Sequence, residues 1–261
     1  MVFDIRGRRR HVVKVVYALL AILMAGSLFL VTGAINVNSL FGSGSSGESA
    51  VSSFEKEAER IEEKLKKEPG EEVLLGNLTR ARINAANAMI SEGVESQGEL
   101  EEVKHQLALV SEDWSEYVTA AKEPSAGIAI QAAPALFQMA ELSSNGQEAL
   151  ENVTAAVEAQ EIVAEKRPSL NSYSTLAFWV PFTQNYKAAE GALKKATGYA
   201  NTKFERESLE NKYEEVEKNA KKFGKELEAE KAAKGKSAGK ESLESPLQGL
   251  GTGTGTGLTG E

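Results

Sequence analysis

The chain has 261 residues, of which 41% are hydrophobic, 26% charged and 7% aromatic, and it contains no cysteine. This length allows one or two domains. The formal charge of −8 excludes the basic surface typical of nucleic-acid-binding proteins. The absence of cysteine excludes disulfides, thiol nucleophiles and cysteine-ligated metals. The only histidines are His11 and His105, so we predict no metal ligands, no cofactor and no catalytic residues.

The N-terminal region has the pattern of a membrane anchor. Residues 15–35 contain no charged side chain, and a helix of these 21 residues crosses a hydrocarbon core of about 30 Å. Residues 1–14 hold five basic residues and one acidic residue, which leaves a charge of −12 for the rest of the chain. Because basic flanks stay in the cytoplasm, we predict a single-pass cell-membrane protein with an extracytoplasmic C-terminal domain. A cleaved signal peptide is the alternative, although its apolar core spans only about 7–15 residues.

The remainder is predicted to be all-α. Residues 36–53 are rich in serine and glycine, which indicates a flexible linker. From residue 54 onward, apolar residues recur every three or four positions, as on the buried face of a helix. Proline, glycine and serine-rich breaks delimit eight predicted helices, which cover residues 54 to the Pro69-Gly70 turn, 71–91, 99–122, 127–142, 147–166, 170–182, 186–201 and 204–231. Pro134 should kink the fourth helix or mark its first turn. Residues 234–261 form a glycine- and threonine-rich tail that we expect to be disordered.

One segment suggests a repeat architecture. Residues 170–203 number 34 and carry large and small residues at the spacing of a helical hairpin: Tyr173, Leu176 and Ala177 in the first helix, and Ala189, Leu193 and Ala196 in the second. This pattern resembles a tetratricopeptide repeat. The match departs from the family at its end, where Asn201 occupies the place of the closing proline. Residues 126–168 match in part, through Leu136, Ala149 and Ala156, and residues 71–122 show no clear motif.

The resemblance implies an antiparallel helix-hairpin solenoid over residues 54–203, with residues 204–233 as a charged capping helix. The last helix has a narrow apolar stripe, formed by Phe204, Leu209, Tyr213, Val216, Ala220, Phe223 and Leu227, which would cover the end of the solenoid. A generic helical bundle or a coiled-coil dimerisation segment is the alternative, although the stripe keeps no strict heptad.

Chemical motifs are sparse. His105 lies among charged residues on a predicted helix, which is typical of a surface side chain. The adjacent glutamates of pairs such as Glu62-Glu63 point about 100° apart on a helix and so do not share a site. The glycines of the tail have no preceding strand and no following helix, which a phosphate-binding loop requires.

The only aromatic concentration is Tyr173, Phe178, Trp179, Phe182 and Tyr186. Two interpretations are open: these residues pack in the core, or they form anchors in a ligand groove. In tetratricopeptide repeats the first helix of each hairpin lines the concave surface. The resemblance therefore implies partner-binding roles for Asn171, Ser174 and Phe178.

These patterns predict a non-enzymatic protein-interaction scaffold or chaperone-like adaptor, anchored in the membrane, which binds protein or peptide partners in a helical groove. Its lipid contact would be residues 15–35, and neither nucleic acid nor a small-molecule substrate is expected. A coiled-coil spacer or oligomerisation module is the second interpretation. An enzyme with a carboxylate-based site is the third, and no motif supports it. The oligomeric state is open.

Overall fold

The computed structural model describes residues 49–234, a range with eight α-helices, one short 3-10 helix and no strand. The α-helices are α1 Ala50–Leu65, α2 Glu72–Glu92, α3 Gln97–Ala120, α4 Ala126–Glu141, α5 Gly146–Lys166, α6 Leu170–Trp179, α7 Tyr186–Tyr199 and α8 Lys203–Lys234; the 3-10 helix, Val180–Thr183, follows α6. The predicted all-α class is confirmed for this range.

The residues predicted to form the membrane anchor lie outside the range that the structure describes. Residues 1–14, the span at 15–35, the linker up to residue 48 and the tail from residue 235 lie outside the described residues. Between residues 49 and 234, no helix combines the length and the apolar character that crossing a membrane requires.

Each α-helix begins at a polar side chain that accepts a hydrogen bond from a main-chain N–H of its first turn, which satisfies one otherwise unpaired donor. These capping residues are Ser49, Glu71, Ser96, Ser125, Asn145, Ser169, Asn185 and Thr202. The cap at Ser49, which accepts from the Ser52 amide at 3.2 Å, starts α1 at Ala50, four residues before the predicted start.

Two prolines act differently from each other. Pro134 lies in the middle of α4, and the helix continues through it. Pro181, which has no N–H to donate to the Ala177 carbonyl, coincides with the change from α6 to the 3-10 helix at Val180. The predicted helix over 170–182 is thus an α-helix followed by a tighter turn.

Successive helices are joined by short loops and pack as antiparallel neighbours, and α2 also contacts α4. The main core runs from α2 to α8 and contains many alanines with no exposed surface, including Ala86 on α2, Ala132 on α4 and Ala156 on α5. Small side chains let the helix backbones approach closely. The α6–α7 hairpin follows this pattern, with Ala177, Ala189 and Ala196 fully buried.

Helix α8 lies against α5, α6, α7 and the 3-10 helix. Six of the seven predicted stripe residues are buried: Leu209, Tyr213, Val216, Ala220, Phe223 and Leu227. The seventh, Phe204, is 74% exposed because it lies in the first turn of α8, before the helix reaches the core. Near the other end of α8, Glu230 accepts a hydrogen bond from the Gly146 amide at 2.9 Å, at the start of α5.

Candidate functional site

A cleft of about 430 Å³ opens between α4 and α6, with the last turns of α5 as its floor. Its volume is in the range of small-ligand and peptide-side-chain pockets. The cleft is lined by Ile130, Pro134, Phe137, Gln138 and Glu141 of α4, by Gln160, Val163 and Arg167 at the end of α5, and by Ser169, Asn171, Ser172, Thr175 and Trp179 at α6.

Two stacked aromatic rings form the apolar end of the cleft. Phe137 of α4 and Trp179 of α6 lie 4.4 Å apart, centroid to centroid, with an angle of 11° between the ring planes. Both side chains are at most 5% exposed. The indole Nε1 of Trp179 has no hydrogen-bond partner within residues 49–234. The stack therefore fixes the separation of α4 and α6 mainly by apolar contact.

Primary amides occur on all three walls, as Gln138, Gln160 and Asn171. Gln160 is 6% exposed, and its Nε2 donates to the main-chain oxygen of Ser172 at 2.8 Å, which ties the floor to α6. Asn171 is exposed at the rim. A primary amide carries both a donor and an acceptor, so these groups match the alternating donors and acceptors of a peptide backbone.

Pro134 removes one main-chain donor from the helix that forms the α4 wall. A residue at this position normally donates its N–H to the carbonyl of residue 130, and proline has no N–H. The Ile130 carbonyl therefore lacks its regular helical donor. Both residues line the cleft.

The two ends of the cleft differ in charge. Helices α4 and α6 run in the same direction, since each is antiparallel to α5. Arg167, which is exposed and forms no ion pair with another described residue, lies at the end where α6 begins. Glu141 lies at the opposite end, where α4 finishes. The eleven residue steps from Ile130 to Glu141 span about 16 Å of helix, the length of about five extended residues.

The structure separates the three residues predicted to bind a partner. Asn171 lines the cleft. Ser174 is 7% exposed, and its hydroxyl donates to the Asn171 carbonyl at 3.0 Å. Phe178 is 5% exposed and lies under the Lys212 ammonium of α8, 5.1 Å from its ring centroid. The cleft instead uses the neighbouring face of α6, which carries Thr175 and Trp179.

The other aromatic residues are divided between core and surface. Phe182 is fully buried and meets Phe223 of α8 at a centroid distance of 6.1 Å. Tyr173 is half-buried, stacks on the exposed Tyr199 of α7 at 5.8 Å, and carries the Lys195 ammonium over its ring at 5.1 Å. This pair lies outside the lining of the cleft.

The chemistry that the cleft offers is hydrogen bonding and apolar contact. The Ser172 hydroxyl is already engaged with the carbonyls of Arg167 and Ser169, at 3.0 and 3.2 Å. His105 is exposed on α3, on a helix that does not line the cleft. The described part of the chain has no group of three or more His, Cys, Asp or Glu residues placed to hold a metal ion.

The sequence analysis missed the residues of α4 and α5. The available signal was Pro134, an unusual residue in a helix interior whose carbonyl partner must be satisfied elsewhere. Comparison of the chain with protein-family models, curated proteins and solved structures finds no match.

Proposed function

We propose that the helical region is a protein-interaction module, a scaffold or chaperone-like adaptor that binds a segment of a partner protein in the cleft between α4 and α6. The observation that carries this proposal is the cleft itself, which combines an apolar end with primary amides on three walls. Binding there needs no covalent chemistry, so we propose that the protein is not an enzyme.

The cellular setting is part of the proposal and rests on sequence. The uncharged stretch at residues 15–35, preceded by a basic segment, supports a single-pass anchor with the helical region on the extracytoplasmic side. Tethering would raise the effective concentration of the cleft near membrane partners. The small buried residues of the α6–α7 hairpin support a tetratricopeptide-like architecture.

The second interpretation, a coiled-coil spacer, has less support. The apolar stripe of α8 is buried against the same chain, from Leu209 to Leu227. A stripe that is already covered leaves no comparable apolar seam on that helix for a second copy. The burial of α8 therefore favours its role as a capping helix.

Site-specific photo-crosslinking tests the proposed function. A photoreactive side chain would replace Asn171 at the rim of the cleft or, as the control, exposed Lys187 on α7. After irradiation of cells that express the full chain, we expect discrete adducts from position 171, with the crosslinked partner peptide identified by mass spectrometry. Position 187 should give none of these adducts.

A matched pair of variants makes the result specific to the cleft. Ile130 is 39% exposed in the cleft, and Val73 is 65% exposed on α2. Ile130→Glu should abolish the adducts from position 171, and Val73→Glu should leave them. Adducts of equal yield from position 187, or adducts that persist with Ile130→Glu, would contradict binding in the cleft.

A further inference from the structure

Helix α1 is held to its neighbours by a small apolar contact. Only Ala58 and Ile61 of α1 are buried hydrophobic residues, and they form a cluster with Leu78 and Ala81 of α2 that is separate from the main core. Two of these four side chains are alanines, and the half-buried Leu65 of α1 and Leu74 of α2 pack against the cluster. Polar contacts with α2 and α3 add to this apolar contact.

These polar contacts form two layers, which are separated by seven residues on α1 and by seven residues on α3. In the first layer, Gln106 of α3 donates from Nε2 to Glu55 of α1 at 3.1 Å. The second layer lies seven residues further along each helix, where Glu62 of α1 and Asp113 of α3 both face Arg82 of α2. Two turns of a helix take about seven residues, so each helix presents its two polar residues on one face.

The Arg82 side chain is shared unequally between two carboxylates. Its Nη2 donates to Glu62, whereas its Nε lies 3.8 Å from Asp113 Oδ2, which is too long for a hydrogen bond. The side chains of Arg82 and Asp113 are only 13% and 14% exposed. The second layer is therefore a buried cation with one close and one distant carboxylate.

The two layers are incompletely satisfied. Arg82 Nε, Gln106 Oε1 and Asp113 Oδ2 are buried atoms without a hydrogen-bond partner among the described residues. They make up three of the five such side-chain atoms in residues 49–234. Each would gain a hydrogen bond to water if α1 moved away, which lowers the cost of local opening at this interface.

Burial disfavours the ionised form of Asp113. Burial raises the pKa of the Asp113 carboxyl to about 7, and although Arg82 of α2 opposes this shift, Glu62 of α1 and the neighbouring α3 residues Glu116 and Glu112 add to it. These groups come from each of the three helices that meet at the interface. The docked state therefore holds a neutral Asp113 better than a charged one.

We propose that the Glu62–Arg82–Asp113 layer is a proton-operated latch on α1, which keeps α1 docked while Asp113 is neutral and lets it detach from α2 and α3 when Asp113 loses its proton. When Asp113 is neutral, Arg82 forms an ion pair with Glu62 alone, and this pair holds α1 against α2. With Asp113 ionised, the docked layer contains a nearly buried carboxylate and the half-exposed carboxylate of Glu62 beside one guanidinium, and hydration of Asp113 in the open state relieves the excess negative charge. The α4–α6 cleft takes no part in this proposal.

The direction of the effect follows from linkage. The docked pKa of Asp113 is about 7, and hydration after α1 opens moves this pKa toward the ordinary aspartate value of about 4. The contribution of Asp113 to docking therefore falls by up to tenfold per pH unit between pH about 4 and pH about 7. Above that, no further weakening arises from Asp113.

Hydrogen exchange of the full chain, purified in mild detergent, tests the latch. After correction for the intrinsic exchange rate, we expect the protection of α1 amides at residues 55–65 to fall at least tenfold between pH 5 and pH 7.5. Amides in the middle of α5, at residues 153–163, should keep their protection over the same range. Asp113→Asn, which stays neutral, should keep α1 protected at both pH values.

Two further variants control the experiment. Glu161 of α5 also has a raised pKa, caused by burial and then by Glu158, so Glu161→Gln is a matched carboxyl-to-amide change away from α1. It should retain the wild-type fall in α1 protection. Glu62→Gln should lower α1 protection even at pH 5, because it weakens the tie to Arg82.

Either of two results would overturn the latch. One is a wild-type α1 whose corrected protection is constant from pH 5 to pH 7.5. The other is a fall that all helices share equally, which would make the transition global. The wild-type measurement alone decides between these outcomes, so the test does not depend on how well Asp113→Asn folds.

Discussion

The side-chain amide of Gln184 lies across Gly224 of α8 and donates from Nε2 to the main-chain oxygen of Ala220 at 3.3 Å. Gln184 has a φ of 63°, and its Oε1 accepts from the Tyr186 hydroxyl at 2.8 Å. A Cβ on Gly224 would lie 2.8 Å from Gln184 Cδ, which is closer than Cβ contacts allow. Glycine at position 224 therefore makes room for the turn that joins α6 and α7 to dock on α8.

This contact predicts that the effect of Gly224→Ala on stability changes sign between the wild type and a Gln184→Gly background. In the wild type, Gly224→Ala should destabilise by about 0.5–1 kcal/mol, because Gln184 must move and lose hydrogen bonds worth about 1 kcal/mol each. That loss exceeds the gain of about 1 kcal/mol in helix propensity. In a Gln184→Gly background, the same alanine should stabilise by up to about 1 kcal/mol. Urea unfolding of the four chains measures both values, and the same sign in both backgrounds would contradict the contact.

A second glycine lies where α2 packs against α4. A Cβ on Gly76 would lie 2.6 Å from Ile128 Cδ1 and 3.2 Å from Tyr117 Cε2. Gly76→Ala should therefore destabilise by about 1–3 kcal/mol through overpacking, measured by urea unfolding. A Cβ on Gly191, in the interior of α7, would meet no atom within 4 Å, so Gly191→Ala should stabilise by up to about 1 kcal/mol.

A second substitution, Ile128→Val, should specifically restore the stability of Gly76→Ala. Ile128→Val removes the Cδ1 atom with which the new methyl group collides, so the double variant should regain most of the stability lost by Gly76→Ala. If the two losses instead add, then the collision with Ile128 is not the cause of the destabilisation.

The helices were predictable because their limits are local. Serine, asparagine and glutamate caps, together with the Pro69-Gly70 turn, mark ends within a few residues of those predicted. The errors are also local in cause: Ser49 caps α1 earlier than the apolar pattern begins, and Pro181 ends α6 while its apolar pattern continues. Phe204 has the spacing of the α8 stripe, but periodicity does not reveal where the core ends.

The candidate site was less predictable because it depends on how distant helices cross. Asn171 was identified through a resemblance to a repeat family, but Gln160 and Gln138 reach the same cleft only through the packing of α4, α5 and α6. Likewise, Arg82 and Asp113 lie 31 positions apart, and each resembles an ordinary charged residue on a helix. Apolar periodicity identifies buried faces and carries no information about which polar side chains meet within them.

The buried Arg82 predicts a pH-dependent mutational effect. Among residues 49–234, Arg82 is the only group that opposes the raised pKa of Asp113, so Arg82→Met should raise that pKa further. At pH 5, where Asp113 is neutral in both chains, the variant should lose about 1 kcal/mol of unfolding free energy, mainly the pair with Glu62. At pH 8 the loss should reach about 3 kcal/mol, because no cation remains beside the buried carboxyl.

Urea unfolding at pH 5 and pH 8 measures this difference. Arg80→Met is the control, since Arg80 is exposed on the same helix and should change the stability equally at both pH values. A loss with Arg82→Met that is independent of pH would mean that Arg82 and Asp113 are not electrostatically coupled.

The stack of Phe137 and Trp179 predicts that the indole nitrogen of Trp179 is dispensable for folding. Trp179→Phe keeps an aromatic face against Phe137 and removes a buried N–H that has no partner within residues 49–234. The relief of that unsatisfied donor, about 1–3 kcal/mol, offsets the apolar area lost with the smaller ring. We therefore expect Trp179→Phe to change the unfolding free energy by less than about 1 kcal/mol.

Trp179→Ala, in contrast, removes the stack and leaves a cavity between α4 and α6, which should cost about 3–5 kcal/mol. Thermal or urea unfolding, followed by far-UV circular dichroism, separates the two variants. If Trp179→Phe proves as destabilising as Trp179→Ala, then the indole N–H has an acceptor that stabilises the folded state, and the apolar end of the cleft is held by hydrogen bonding as well as by ring stacking.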